Sequence, residues 1–298
     1  MTIVVGLAPG KKGLAALHLA AVMARSRVED LLVCTIVKAP WPPDPNYADR
    51  EYLAYQEKVA QSSLEHAREY LGGDPIHAEF MVRRATSVAA GLVTLIGERE
   101  VSLAILGSSS SGVLGHVMLG AVSERIVHGA DVPVIVAPRG YRGGPMTQLS
   151  RVSVAFGRAD HDSGLLKRAL VGAREFAAPL RVVCFAVRPM AVSNEAIESS
   201  ADQAVVDKWQ QRLESDVAAT VAGVEAAHPG ATGVATRLEV VLGEGATWGA
   251  AIADVEWSSA DLLVVGTSSG PFSRFFLGSH ALKIVRNSPV PVLLMPRG

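Results

Sequence analysis

The sequence predicts an α/β protein made of two tandem units, each a five-stranded parallel sheet flanked by helices. Three observations predict it. The run VPVIVAPRG at 132–140 returns as VPVLLMPRG at 290–298, and AILGSSS at 104–110 returns as LVVGTSS at 263–269, so one unit occurs twice. The aliphatic runs are near-continuous Val, Ile and Leu rather than alternating, which marks strands covered on both faces, as in parallel sheets. Segments with helical periodicity separate those runs, so strands and helices alternate along the chain.

In the first unit, strands are expected near 2–7, 31–37, 76–82, 102–106 and 133–137. The opening strand TIVVGL leads within about ten residues into the helix-period segment LAALHLAAVMA, as RVSVAF leads into LLKRALVGARE in the second unit. A long helix follows the second strand of each unit, in DREYLAYQEKVAQSSLEHAREYL and in DQAVVDKWQQRLESDVAATVAGV. Cys34 recurs as Cys184 at the matching place. The expected organisation is therefore a first domain over 1–140, a second over 151–298, and a linker, YRGGPMTQLS, over 141–150.

The composition describes an ordinary globular chain. Of 298 residues, 49% are hydrophobic and 19% charged, and the formal net charge is -1, which leaves no electrostatic footprint for nucleic acid. Lys plus Arg and Asp plus Glu number 14 and 14 up to residue 150 and 14 and 15 after it, so neither half is a basic arm or an acidic tail. The two cysteines lie inside apolar runs and read as buried free thiols of a reducing compartment. No apolar stretch is long enough to span a membrane and no signal peptide is visible, so the expected address is the cytoplasm.

Each unit carries a glycine- and serine-rich stretch after its fourth strand, GSSSSG at 107–112 and GTSSG at 266–270. In a parallel sheet such a stretch lies at the carboxyl edge, where ligands bind. Three readings are open. GTSSG matches a strand-to-helix nucleophile elbow with Ser268 as nucleophile, but no acid follows Asp261 and His280 is the one later histidine, so the rest of a hydrolase triad is missing. Alternatively the stretch is an anion site: Gly266 and Gly278 let backbone approach a phosphate, Thr267, Ser268, Ser279 and the helix start at His280 supply donors, and the helix dipole adds positive potential. Or Gly278 and Ser279 are simply a helix N-cap. Residues 160–162, Asp-His-Asp, offer a carboxylate pair that also fits an exposed first helical turn. No HExxH or CxxC pattern supports zinc.

The stretch GSSSSGVLGHVMLGAVSERIVHGADVPVIV resembles the signature of the universal stress protein family, and GTSSGPFSRFFLGSHALKIVRNSPVPVLL is similar to it. The resemblance covers essentially the whole chain, one family unit per repeat. It implies the adenine nucleotide alpha hydrolase-like, Rossmann-like sheet, pairing through the last strand and, in one branch, ATP with magnesium at the loop, in a stress-response binding module rather than an enzyme. Carried over residue by residue, Gly107 and Gly120 keep the loop glycines of the first repeat, while Ser110 stands at the second glycine and Ala121 at the hydroxyl. In the second repeat Gly266, Gly278 and Ser279 match, and Gly270 only approximates the missing glycine. The aspartate that contacts the nucleoside falls at Ala8 and Gly157, and the positions facing the base fall near Ile36 and Ala186. Any nucleotide is expected mainly in the second repeat; the rival expectation is a nucleotide-free scaffold with the same fold. The tether between the repeats favours pairing of VPVIVAP with VPVLLMP inside the chain, as an intrachain pseudo-dimer, and a further homodimer is expected. Trp41, in a proline-rich loop, is expected to be a partly buried aromatic.

Overall fold

The structure, a computed structural model, describes residues 1–39, 47–157, 159–187, 208, 211–212, 214–223, 226, 239–270 and 273–296. Trp41 lies outside the described residues, and so do the side chains of residues 160–162.

The first repeat runs β1 (Thr2–Gly6), α1 (Leu14–Arg27), β2 (Asp30–Lys38), α2 (Tyr47–Leu71), β3 (Ala78–Ala85), α3 (Val88–Glu98), β4 (Val101–Gly107), α4 (Ala121–Gly129) and β5 (Val134–Ala137). The second runs β6 (Arg151–Ala155), α5 (Ala159–Glu175), β7 (Leu180–Val187), α6 (214–223), β8 (Glu239–Gly245), α7 (Trp248–Ala253), β9 (Asp261–Gly270), β10 (Ser273–Phe276), α8 (Ser279–Asn287) and β11 (Val292–Pro296). Strands lie in the order β3-β2-β1-β4-β5-β11-β9-β6-β7-β8, with β10 added to β9. Neighbours within each repeat are parallel, apart from the β9–β10 hairpin. The last strands of the two repeats pair antiparallel, Val136 opposite Val292 and Val134 opposite Leu294, so the two five-stranded sheets form one continuous surface.

Local chemistry repeats with the strands. Ser87 caps α3 by accepting from the Ala90 amide at 3.1 Å, and Thr247 caps α7 by accepting from Ala250 at 3.2 Å. The first helix of each repeat is followed closely by a non-glycine residue in the left-handed region, Val28 at φ 54° and Ala177 at φ 50°. One face of the sheet packs α1, α2, α5 and α6 through residues such as Leu19, Leu64, Leu166 and Val217. The other packs α3, α4 and α8 through Leu92, Ile126 and Val285. The helix α1 is buried almost all round, Leu17, Leu19, Val22 and Met23 included, because α2 and the chain between the repeats cover what the sheet does not.

Residues 141–150, expected as a linker, are tied down along α1. Tyr141 and Leu149 are buried in the shared core. The Leu149 amide donates to Ser26 Oγ at 2.7 Å, Arg25 Nε donates to the Thr147 carbonyl at 2.8 Å, and Arg25 also pairs with Asp74 at 2.5 Å. A buried guanidinium is tolerated here because carbonyls and a carboxylate surround it.

At the opposite ends of the second repeat's strands, register brings Arg151, Arg181 and Asp261 together. Arg181 and Asp261 are buried, 3.6 Å apart, and Arg151 reaches the same carboxylate at 2.7 Å. Arg181 also donates to Ser153 Oγ and to the Glu256 carbonyl and lies over the Trp257 ring. This is a structural knot at the amino ends of the strands, away from the carboxyl edge where a ligand would bind.

Candidate functional site

The carboxyl edge of the first repeat holds a cleft of about 630 Å³ between the β1 and β4 ends. Its inner wall is apolar: Leu7, Ala8, Ile36, Val88, Leu92 and Leu106. Cys34 also faces it, and burial pushes its thiol up to about 11, so the group is a neutral wall at physiological pH. The outer wall is the loop from Ser108 to Gly120 and the start of α4.

That loop is built by its serines. Ser108 Oγ accepts from the Met118 amide at 2.9 Å, the Ser109 amide donates to the Met118 carbonyl at 2.8 Å, and Ser109 and Ser111 hydroxyls bond each other at 2.9 Å. The loop therefore folds back on itself and brings Gly120 against Ser109. A Cβ at Gly120 would lie 3.3 Å from Ser109 Cβ, a tight approach that the glycine keeps open. Gly120 is the N-cap of α4, and Ser123 bonds both its amide, at 2.8 Å, and its carbonyl, at 2.9 Å. The Glu124 amide is the first to bond back along the helix, to Gly120, so the amides of Ala121, Val122 and Ser123 have no intrahelical acceptor. Those amides, beside a cleft, make an anion-attracting end.

The structure thus brings Ala8, Ile36, Gly107, Ser110, Gly120 and Ala121 to one cleft. Ser110 is exposed in its loop, and the side chains of Ala8 and Ala121 are only methyl groups.

The second repeat is arranged differently. Instead of a loop after Gly266, β9 continues through Thr267, Ser268 and Gly270, and β10 pairs back on it, Phe276 opposite Ser268 and Ser273 opposite Gly270. Ser268 therefore sits in extended backbone within a hairpin and not on a strand-to-helix elbow. Thr267 is fully buried and its hydroxyl has no hydrogen-bond partner among the described residues, whereas Ser108 at the matching place organises the first loop. Gly278 caps α8 without a side-chain bond, and Ser279 and His280 are exposed in its first turn. Gly157 follows β6 at the surface and Ala186 lies half-buried on β7. Trp248 and His280 occupy the places of Val88 and Val122, two residues that line the first cleft. Their rings meet at 5.1 Å, so an aromatic pair stands where two aliphatic residues line the cleft of the first repeat.

Comparison with known proteins follows the duplication. The sequence pattern described as "Universal stress protein family" matches residues 1–138 and again 149–296. The chain belongs to the universal stress protein family. A curated universal stress protein of Mycobacterium tuberculosis is 35% identical over 301 residues, covering 99% of this chain and 100% of that one. Among solved structures, a universal stress protein from Archaeoglobus fulgidus aligns at 18% identity with a TM-score of 0.62, covering 100% of this chain and 98% of its own. A Pseudomonas aeruginosa structure aligns at 15% identity with a TM-score of 0.57, covering 99% and 92%. At those identities the structures speak for the fold, which they share across both repeats of this universal stress protein. No described helix is long and apolar enough to cross a membrane.

The resemblance to the family marked Ala8, Ile36, Gly107, Ser110, Gly120 and Ala121 and missed the apolar wall of Leu7, Val88, Leu92 and Leu106 as well as the cation Arg139. The signal for Arg139 is present in the Pro-Arg-Gly that ends VPVIVAPRG, a run read as evidence of the repeat.

Proposed function

We propose that this universal stress protein is a cytoplasmic binding module, not an enzyme, whose first-repeat cleft takes an adenine nucleotide. The observation that carries the reading is the cleft itself: an apolar slot at the carboxyl edge, ending on open amides at the α4 N-terminus. A planar base suits the wall made by Ile36, Val88 and Leu92, and phosphates suit the amides after Gly120. The sequence favoured the second repeat; the formed cleft and the aromatic pair of Trp248 and His280 move the proposal to the first. Among the described residues no carboxylate lines the cleft, so magnesium would be carried by the phosphates and water.

A second reading, a nucleotide-free scaffold, is favoured by Ala8 and Ala121, which remove a carboxylate and a hydroxyl from the slot. Losing a charge-assisted hydrogen bond weakens binding by roughly one to two decades. Thermal shift with ATP and magnesium separates the two. ATP should raise the melting temperature, Val88→Trp should abolish the shift by filling the slot, and Ser279→Trp should leave it intact. No shift at millimolar ATP favours the scaffold.

A further inference from the structure

Among the described residues that line the first-repeat cleft, Arg139 is the one with a charged side chain, and it is a cation. It stands just past β5, which ends at Ala137 and is separated from β1 by β4 in the sheet. Its backbone is fixed from both sides: its amide donates to the His116 carbonyl at 3.0 Å and its carbonyl accepts from the Gly115 amide at 2.9 Å. One guanidinium nitrogen donates to the Gly112 carbonyl at 2.6 Å, which aims the side chain along the serine loop. A guanidinium has five donors in a rigid fork, and no carboxylate pairs with this one among the described residues. The remaining donors are available to a ligand in the same slot as the α4 amides.

Resting on the nucleotide reading, we infer that Arg139 is the specificity-determining residue of the cleft and selects ligands with a polyanionic tail. The physical case is one of compensation. Ala121 gives a methyl where a hydroxyl would hold a phosphate, and Ala8 gives a methyl where a carboxylate would hold the sugar. Among the described residues, the polar recognition left in the slot is the loop, the open amides and the Arg139 cation, all suited to anions. A planar guanidinium binds phosphate oxygens two at a time, and beside a helix N-terminus the two positive ends act on the same group. The sugar, by contrast, meets apolar atoms, so the cleft distinguishes a tail from no tail and does not read the ribose.

The test uses the full chain and isothermal titration with ATP, dATP, adenosine and inorganic tripolyphosphate. ATP and dATP should bind with equal affinity, and ATP should bind at least tenfold more tightly than adenosine. Arg139→Gln should lower ATP affinity about tenfold or more and leave adenosine unchanged, with Arg139→Lys between them. Arg139 also holds the loop through Gly112, so equal losses for ATP and adenosine in Arg139→Gln would mean a purely structural role and overturn the inference. ATP binding that is unchanged in Arg139→Gln would also overturn it while leaving the nucleotide reading standing. If ATP does not bind but tripolyphosphate does, in an Arg139-dependent way, the nucleotide reading fails and the anion selectivity survives. If neither binds, both are wrong.

Discussion

Ile135 of β5 and Leu293 of β11 lie directly opposite each other across the antiparallel seam, both buried in the core shared by the repeats. The join between the halves is therefore made of the same material as the interior of each. Ile135→Ala should cost roughly 2 to 5 kcal/mol, the range for truncating a packed aliphatic side chain. Urea unfolding followed by circular dichroism checks this, and a seam of this kind should keep both halves in a single transition. Early, separate melting of one half would contradict it.

The carboxylate of Asp261 serves two arginines, one of them buried. Burial pulls the Arg181 guanidinium below its ordinary range, with Arg151 adding repulsion and Asp261 opposing both. Asp261→Ala would leave Arg181 buried and without that counter-charge, at a cost of about 3 to 5 kcal/mol. Arg151→Ala, at the partly exposed end of the knot, should cost clearly less. Equal costs in chemical denaturation would refute the ordering.

Arg25 joins α1 to the strap between the repeats and to Asp74. Arg25→Ala should free the strap before it unfolds the protein. Limited trypsin digestion checks this: cleavage after Arg142 should speed up, with a loss of about 1 to 3 kcal/mol in global stability.

His18 lies under the same strap, edge-on to Tyr70 with ring centroids 4.4 Å apart. Burial is the main cause that holds its pKa below the ordinary 6.5, and Arg142 adds to it, against a hydrogen bond with Gly143. The phenols of Tyr70 and Tyr141, by contrast, are pushed up by burial, Tyr141 to about 12, and stay neutral. The unfolded chain therefore binds a proton at His18 that the folded chain resists, and stability should fall as pH drops below 6.5. The slope should flatten in His18→Asn, measured by denaturation between pH 7.5 and 5.

Val28 is 92% exposed and holds φ at 54°, a conformation that a β-branched residue adopts only at a cost. Its amide caps α1 by donating to the Ala24 carbonyl, so the conformation is needed although the side chain is not. Val28→Gly should raise stability by up to about 1 kcal/mol, read as a higher melting temperature.

The strands and the duplication were legible in the sequence because buried parallel strands write themselves as unbroken aliphatic runs; LLVCTIV became the centre of β2 and AILG the end of β4. The cleft's glycines were legible for a similar reason, since Gly120 is needed where backbone comes close to Ser109. Two features were not. The second glycine-serine stretch reads like the first, yet Thr267 and the residues after it extend into a hairpin, a choice that depends on pairing with β10 rather than on local composition. The strap looked like a linker because Gly143, Gly144 and Pro145 dominate it; what holds it is the pair of apolar residues at its ends, Tyr141 and Leu149, and carbonyls that Arg25 reaches. Backbone acceptors carry no mark in a sequence.

The antiparallel seam has a geometric outcome. The five main strands of each half run the same way, but the halves run against each other, so the carboxyl edges face opposite poles of the molecule. Whatever docks at one pole is screened from the other by the full length of the strands, and each can be occupied without steric conflict. A duplicated chain of this shape holds two unlike surfaces back to back, in fixed opposition.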